Sequence, residues 1–279
     1  MMGTEFELNT EIAVNTEIAA NSEGEPNQEF QGTVAFVTGA SRGIGAATAR
    51  LLAARGAAVG VNYYQSEAAA KSLVASIETA GGTALAVQAD ITSEDEARAA
   101  IDAVEQGLGP ISVAVFNAHG LKTPARAPFL KLPQWLIEEV IIRQVRALLI
   151  PSRILLPRMA ERGRGSVVVV TSTQVLHPAE QMMALAMGKG ALEVAVKSFA
   201  EEYGPRQVRI NAIAPGPICT DATAIMLSAE YKQSRAEVTP LGRLGTPEDV
   251  AGPIVALASP SCGFITGATL QVNGGILMA

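Results

Sequence analysis

A glycine-rich loop near the N-terminus is the segment that most clearly predicts a ligand. Residues 38–45 read Thr-Gly-Ala-Ser-Arg-Gly-Ile-Gly and lie between a β-branched run at 33–38 and a helical pattern at 43–55. Glycines allow the backbone to turn tightly and to approach a pyrophosphate, which then lies at the positive N-terminus of the helix. A strand before the loop and a helix after it give these glycines the context of a dinucleotide-binding site. The residues expected to line that site are Gly39, Ser41, Arg42, Gly43, Ile44 and Gly45.

The loop belongs to a pattern in which short β-branched runs alternate with longer Ala- and Leu-rich stretches, such as 43–55 and 66–80. This alternation implies right-handed crossovers, so we expect one α/β domain with a doubly wound parallel sheet (a Rossmann fold) and helices on both faces. A later helix start is marked by residues 246–249, Thr-Pro-Glu-Asp, which suit a cap and a first turn. The predicted strands are 33–38, 57–62, 84–89, 112–117, 166–171, 208–213 and 268–272.

The composition agrees with this fold and argues against several partners. Hydrophobic residues make up 48% of the chain and aromatic residues 4%, so the core must be built from Ala, Val, Leu and Ile, which suit parallel strands buried on both faces. No apolar run approaches the ~20 residues that span a bilayer, so we expect no membrane partner. The two cysteines, Cys219 and Cys262, have no metal or redox spacing, and we expect free thiols in a reducing cytoplasm and no bound metal.

The first 29 residues differ from the rest of the chain in charge. Residues 1–29 hold seven glutamates and no lysine or arginine, and the segment Asn-Thr-Glu-Ile-Ala occurs in them twice. We interpret residues 1–29 as a disordered acidic tail, with docking to a partner as the alternative, and residues 30–279 as the folded domain. The whole chain has a net charge of −6, so without the tail's −7 the domain lies close to neutral, at about +1. A neutral domain gives no electrostatic reason to expect a nucleic-acid partner.

The loop and several later motifs resemble the short-chain dehydrogenase/reductase family over about residues 32–279. The Thr-Gly-x-x-x-Gly-x-Gly spacing of 38–45 is that family's phosphate loop, and Ser172 ends the fifth predicted strand, as the family's catalytic serine does. The segments 240–243 and 272–275 are similar to the tail of bacterial β-ketoacyl-carrier-protein reductases. The resemblance implies further cofactor contacts by Asp90 and Ile91 at the adenine, by Asn117 after the fourth strand, and by Pro215, Gly216, Ile218 and Thr220 beside the nicotinamide.

The end of the second predicted strand distinguishes the two nicotinamide cofactors. NAD-binding members place an acid there, which bonds the ribose 2′-hydroxyl. Here the strand ends in Asn62-Tyr63-Tyr64-Gln65, with no carboxylate to repel a 2′-phosphate, and Arg42 can approach that phosphate as a charge-assisted donor. We therefore expect NADP(H) as the cofactor, with Asn62 and Tyr63 in its site.

Two of the four catalytic residues that the resemblance implies are present. In the family a tyrosine transfers the proton, a lysine four residues later lowers its pKa, a serine polarises the carbonyl, and an asparagine anchors a relay water. Lys189 and Ser172 match the lysine and the serine. Leu185 stands in the tyrosine position, Met182 in the tyrosine position of enoyl reductases, and Gln144 in the asparagine position. No tyrosine lies between Ser172 and Lys189.

Three other titratable side chains could replace the missing tyrosine. His119 and His177, the two histidines of the chain, fall in segments that the resemblance places beside nicotinamide and substrate, and histidine titrates near neutrality. Tyr231 falls in 221–239, which corresponds to the family's mobile substrate lid. Each of the three has a structural alternative as an ordinary loop or lid residue.

Three functions therefore stay open. The first is an NADP(H)-dependent oxidoreductase for a small carbonyl or enone substrate, and apolar lid residues such as Ile225 and Met226 favour a lipophilic one. The second is a non-redox enzyme on this fold, an isomerase, dehydratase or cyclase that uses His119, His177 or pocket shape. The third is a cofactor-binding subunit without activity. The resemblance favours the first, and it implies a homotetramer or homodimer built through the 134–160 helix region and the C-terminal strand.

Overall fold

Seven parallel strands form one sheet in a computed structural model, which describes residues 28–118, 126–220 and 228–278. In chain order the strands are β1 (Val34–Val37), β2 (Ala58–Tyr63), β3 (Thr83–Gln88), β4 (Ile111–Phe116), β5 (Gly165–Val170), β6 (Val208–Pro215) and β7 (Thr269–Val272). Their order across the sheet is β3-β2-β1-β4-β5-β6-β7, which reverses between β1 and β4. This confirms the predicted doubly wound α/β fold, and each predicted strand agrees to within two residues at either end.

Helices cover both faces of the sheet. Those of the described residues are α1 (Gly43–Ala54), α2 (Glu67–Thr79), α3 (Glu94–Leu108), α4 (Gln134–Glu161), α5 (Met183–Tyr203), α6 (Ala229–Val238) and α7 (Pro247–Ala258). Helices α1, α2 and α7 contribute to one core cluster, and α3, α4 and α5 to a second. In β1, Ala35 and Val37 belong to the first cluster, whereas Val34 and Phe36 belong to the second. Because successive side chains of a strand point to opposite faces, an uninterrupted apolar run is what this two-sided burial requires.

The segment that precedes β1 is hydrogen-bonded to the ends of two helices. Glu29 accepts hydrogen bonds from Arg55, at the end of α1, and from the Ser259 hydroxyl at 2.8 Å, at the end of α7. Phe30, the next residue, is buried in the core. Residues 1–27 of the predicted tail lie outside the described residues, whereas Glu29 contacts the folded domain.

The start of α7 has the cap that its sequence predicts. The Thr246 hydroxyl accepts from the Asp249 amide at 3.3 Å, and the Asp249 carboxylate accepts from the Thr246 amide at 2.7 Å. Pro247 occupies the first turn, where its missing N–H costs no helical hydrogen bond. This capping box satisfies backbone N–H groups at the first turn of α7.

Helix α4 spans 28 residues and carries an exposed apolar stripe. Trp135, Ile142 and Leu149 are exposed and recur every seven residues, which is about two helical turns, so they share one face. The opposite face is buried against the sheet and α5. Among the helices described, α4 included, none combines the length and apolarity that crossing a membrane requires.

Candidate functional site

The carboxyl ends of β1 and β4 meet where the strand order reverses. Thr38 follows β1 and Asn117 follows β4, and the two residues are hydrogen-bonded to each other there. The Thr38 hydroxyl oxygen accepts from the Asn117 and Ala118 amides, both at 3.0 Å. The Asn117 Nδ2 donates to the Thr38 and Gly39 carbonyls at 3.1 and 3.0 Å. Open α/β sheets bind ligands in the crevice at such a point, and these two side chains fix the base of the glycine loop there.

The glycine loop leaves space that side chains would fill. A Cβ on Gly45 would lie 2.5 Å from the Gly39 carbonyl oxygen and 2.7 Å from the Asn117 Nδ2, so this position requires glycine. Gly43 has a φ of +55°, and a Cβ there would face Thr220 at 3.5 Å. Helix α1 begins at Gly43 with no acidic residue in its first turn and no side-chain cap, so the protein does not neutralise its positive end. The loop therefore fits a pyrophosphate between α1 and Thr220.

The end of β2 lies beside this loop. Asn62 is 2% exposed, and its amide is used inside the protein. Its Oδ1 accepts from the Gly39 amide at 3.2 Å, and its Nδ2 donates to a backbone carbonyl at 3.3 Å. Tyr63 is buried as well. Arg42 is exposed and donates to the hydroxyl of Ser66, the residue before α2. Asn62 thus shapes the loop from behind, while Arg42 lies at the surface beside the start of α2.

Asp90 and Ile91, the expected adenine contacts, have different surroundings. Ile91 is buried in the core. The Asp90 Oδ1 accepts from the Thr92 amide and hydroxyl at 2.9 and 2.6 Å, and Oδ2 pairs with the Arg143 Nη2 at 3.0 Å. Burial alone would raise the pKa of Asp90, but the hydrogen bonds from Thr92 and Arg143 outweigh it and hold the pKa below its usual value. Arg143 was not among the residues predicted from the sequence, because its partner Asp90 lies 53 residues away. The one local signal was that Arg143 directly precedes Gln144.

Ser172 and Lys189 are brought to the same strand end. Lys189 is 6% exposed, and its Nζ donates at 2.6 Å to the carbonyl of Val170, the last residue of β5 and two residues before Ser172. Burial lowers the pKa of Lys189 to about 8, so the amine is protonated at neutral pH but close to releasing its proton. The Ser172 Oγ accepts from the Gln174 amide at 3.2 Å, and its own proton can be donated to a further acceptor.

Gln144 packs against the residue before Lys189. It is 1% exposed, its Nε2 donates to the Val140 carbonyl at 3.2 Å, and its Oε1 has no hydrogen-bond partner within the described ranges. A Cβ on Gly188 would lie 2.3 Å from the Gln144 Nε2, so the amide lies directly against the glycine. Leu185, half-buried, stands one helical turn before Lys189. Both residues that depart from the expected pattern thus adjoin the turn that carries Lys189.

The segment after β6 follows a closely packed path toward the glycine loop. The Thr173 hydroxyl donates to the Pro215 carbonyl at 3.2 Å. A Cβ on Gly216 would lie 2.7 Å from the Asn273 Cβ, and Ile218 forms a backbone bridge with Gly245. These contacts lead the chain to Thr220, which faces Gly43.

Of the three side chains that could replace the tyrosine, His177 and Tyr231 belong to the described residues. His177 is exposed beyond Ser172. Tyr231 lies on α6, half-buried, with the Arg235 guanidinium carbon 5.3 Å from the centre of its ring. His119 and the lid residues 221–227 lie outside the described residues. In the part of the chain that is described, no group of three or more His, Cys, Asp or Glu side chains could hold a metal ion.

The sequence matches a known family over most of its length. A family model described as Enoyl-(Acyl carrier protein) reductase matches residues 39–277. A 3-oxoacyl-[acyl-carrier-protein] reductase from Synechocystis sp. is 38% identical over 246 residues, which cover 88% of this chain and 97% of that protein. A mutant of a Serratia marcescens short-chain dehydrogenase/reductase superposes with a TM-score of 0.81 at 32% identity, covering 90% of this chain and 99% of that one. The chain belongs to the short-chain dehydrogenase/reductase family.

Other short-chain dehydrogenases/reductases similar to this chain are named for different small molecules. An L-rhamnose 1-dehydrogenase (NAD(P)(+)) from Sphingomonas sp. is 36% identical over 248 residues, 88% of this chain and 96% of that protein. A 7α-hydroxysteroid dehydrogenase, solved with NADH and 7-oxo glycochenodeoxycholic acid, has a TM-score of 0.84 at 33% identity, over 90% of this chain and 96% of that one. The chain is thus a family oxidoreductase whose relatives use nicotinamide cofactors, and their names do not agree on one substrate.

Proposed function

We propose that this short-chain dehydrogenase/reductase is an NADP(H)-dependent oxidoreductase that acts on the carbonyl or conjugated enone of a small lipophilic substrate. The observation that carries the proposal is that the glycine loop, Ser172 and Lys189 all lie at the carboxyl edge of the sheet, at the ends of β1 and β5, which flank β4. The cofactor, bound there, supplies or accepts a hydride. The glycine loop and Thr220 would hold its pyrophosphate, and Lys189 its ribose hydroxyls.

The preference for NADP(H) is supported by the charges around the end of β2. The first acid after this strand is Glu67, whose carboxylate pairs with Lys71 at 2.7 Å along α2. Arg42 and the Ser66 hydroxyl meet at the start of the same helix. A 2′-phosphate at that point would gain the Arg42 charge as a charge-assisted donor.

Lys189 is the proton donor in this proposal. Its Nζ has three N–H bonds, one of which goes to the Val170 carbonyl. During reduction, the Ser172 hydroxyl donates a hydrogen bond to the substrate oxygen and Lys189 gives that oxygen a proton. The carbonyl carbon gains the hydride as the C=O π bond breaks, and the neutral amine then regains a proton from water. A pKa of about 8 suits a general acid that works near neutrality. The alternative donors are His177, His119 and Tyr231.

The same site favours a second candidate, a non-redox enzyme or an inactive cofactor-binding subunit. Leu185 places an apolar side chain where other members have a phenol, so no tyrosine is coupled to Lys189 along α5. An isomerase, dehydratase or cyclase would rely on His177, His119 or the shape of the pocket. An inactive subunit would retain Lys189 for the ribose alone.

Isotope transfer separates these functions. Wild-type protein is incubated with NADPH that carries deuterium at its transferable position and with a panel of activated ketones and enones, and the products are analysed by mass spectrometry. We expect NADPH to be consumed and one deuterium to appear in the product. Turnover of a substrate with NADPH unchanged would establish the non-redox function instead. Tight NADPH binding without turnover across the panel would favour the inactive subunit.

We also propose that the protein is a cytoplasmic homodimer or homotetramer. The exposed stripe of Trp135, Ile142 and Leu149 supports association through the 134–160 helix, because large exposed apolar patches mark interaction surfaces. Light scattering should give a mass above that of one chain, and Ile142→Asp should reduce it. A monomeric wild type at micromolar concentration would refute this assembly.

A further inference from the structure

The loop after β3 is held from one side by two arginines of α4. The Arg143 Nη2 lies 3.0 Å from the Asp90 Oδ2, and the Arg146 Nε donates to the Thr92 carbonyl at 3.0 Å. Three residues apart, the arginines are neighbours on one face of the helix. The Asp90 and Arg143 side chains are 14% and 18% exposed, so their ion pair is weakly screened by water.

These contacts fix the direction in which Asp90 presents its carboxylate. One oxygen receives the Thr92 amide and hydroxyl and the other receives Arg143, so rotating the carboxylate would break at least one bond. The pKa of Asp90 lies below its usual value despite burial, so the group is ionised at neutral pH. An ionised and oriented carboxylate is a strong acceptor for an amino group, and adenine carries an amino group at N6.

We propose that Arg143 is a positioning residue for the adenine of the cofactor, because it orients the Asp90 carboxylate toward the N6 amino group. The inference rests on the proposed function, since it requires a dinucleotide in the crevice. It gives Arg143 a role in selecting adenine over other purines. Arg146 serves as the matched control, because it holds the same loop through the Thr92 carbonyl.

Binding of two dinucleotides that differ only at position 6 of the purine tests this role. The probes are the dinucleotide that the wild type binds more tightly and its deamino analogue, in which hypoxanthine replaces adenine. Calorimetry should show a wild-type preference for adenine of about tenfold, the size of one charge-assisted hydrogen bond. Arg143→Met should bring this ratio close to one. Arg146→Met should keep the ratio, and Arg143→Lys should keep most of it because the charge remains.

Every other outcome decides against at least one of the two proposals. A wild-type ratio retained in Arg143→Met would overturn the positioning role. Equal wild-type affinity for both probes would also overturn it, while leaving the dinucleotide function intact. A wild type that binds neither probe would overturn the proposed function and this inference with it. If Arg143→Met does not fold, Arg143→Gln replaces it, because it also removes the charge from Asp90, and a wild-type ratio retained in Arg143→Gln would refute the inference.

Discussion

Replacing Leu185 with tyrosine tests the chemistry assigned to Lys189. Leu185→Tyr would place a phenol one helical turn before Lys189, where Cβ atoms of such pairs lie about 5–6 Å apart. Leu185 is half-buried, so a larger ring can extend from this position without opening the core. A positioned general acid contributes about 10²–10⁴-fold. Lys189, with a pKa of about 8, already supplies part of this effect, so we expect a gain in kcat/KM for carbonyl reduction at the lower end, about 10²-fold.

The same variant should change the pH dependence of reduction. In the wild type, reduction needs the protonated form of Lys189, whose pKa burial lowers to about 8, so the rate should fall as the pH rises through that value. An ordinary phenol titrates near pH ~10. Lys189 would lower the pKa of that phenol, as the family's lysine does for its tyrosine, so with a phenol as the donor the decline should move from about 8 toward, but not as far as, pH ~10.

Leu185→Phe is the matched control, because it adds the ring without the hydroxyl. Initial rates of NADPH consumption with an activated ketone, and the NADPH dissociation constant, should be measured for all three proteins. The gain should occur in Leu185→Tyr alone. If both variants lower kcat/KM equally while binding NADPH as the wild type does, the ring merely blocks the substrate, and proton transfer does not occur at this end of α5.

Three further predictions concern the cofactor and the fold. Arg42→Met should weaken NADPH binding about tenfold, the loss of one charge-assisted contact, and leave NADH binding unchanged, as measured by calorimetry. Gly188→Ala should destabilise the fold by about 1–3 kcal/mol in denaturant titrations, because its Cβ would lie 2.3 Å from the Gln144 Nε2. Gln144→Asn should restore part of that loss, and no rescue would show that the clash lies elsewhere. Glu29→Gln should lower Tm by about 2–4 °C, as expected for about 1 kcal/mol, whereas deletion of residues 1–27 should leave Tm unchanged.

The fold could be predicted from the sequence because its signals are local. A strand buried on both faces needs a short apolar run, and the loop at 38–45 needs glycines at fixed positions, so both features are visible within a few residues. The cap at Thr246 is equally local, since its hydrogen-bond partner lies three residues away. The predicted elements therefore agree with the observed ones almost residue by residue.

The site was less predictable, because its contacts join distant segments. The sequence placed Asn62 among the cofactor contacts, but a strand-end residue can point its amide outward or inward. Here burial and the Gly39 amide turn it inward. The ion pair of Asp90 with Arg143 and the contact of Gln144 with Gly188 depend on how α4 lies against the sheet and α5. No periodicity along the chain encodes that placement.

The hydrogen bonds of Glu29 to Arg55 and Ser259 determine how this protein can be attached to a support. The chain enters β1 at Val34 from the amino edge of the parallel sheet, whereas Ser172 and the glycine loop lie at the carboxyl edge. A fusion partner or resin linked ahead of Gln28 would be tethered at the edge remote from the crevice. Strand β7 runs the same way and ends at Val272, so a linker after Met278 would emerge on the crevice side. Immobilisation through the N-terminus is therefore the orientation that keeps substrate access open.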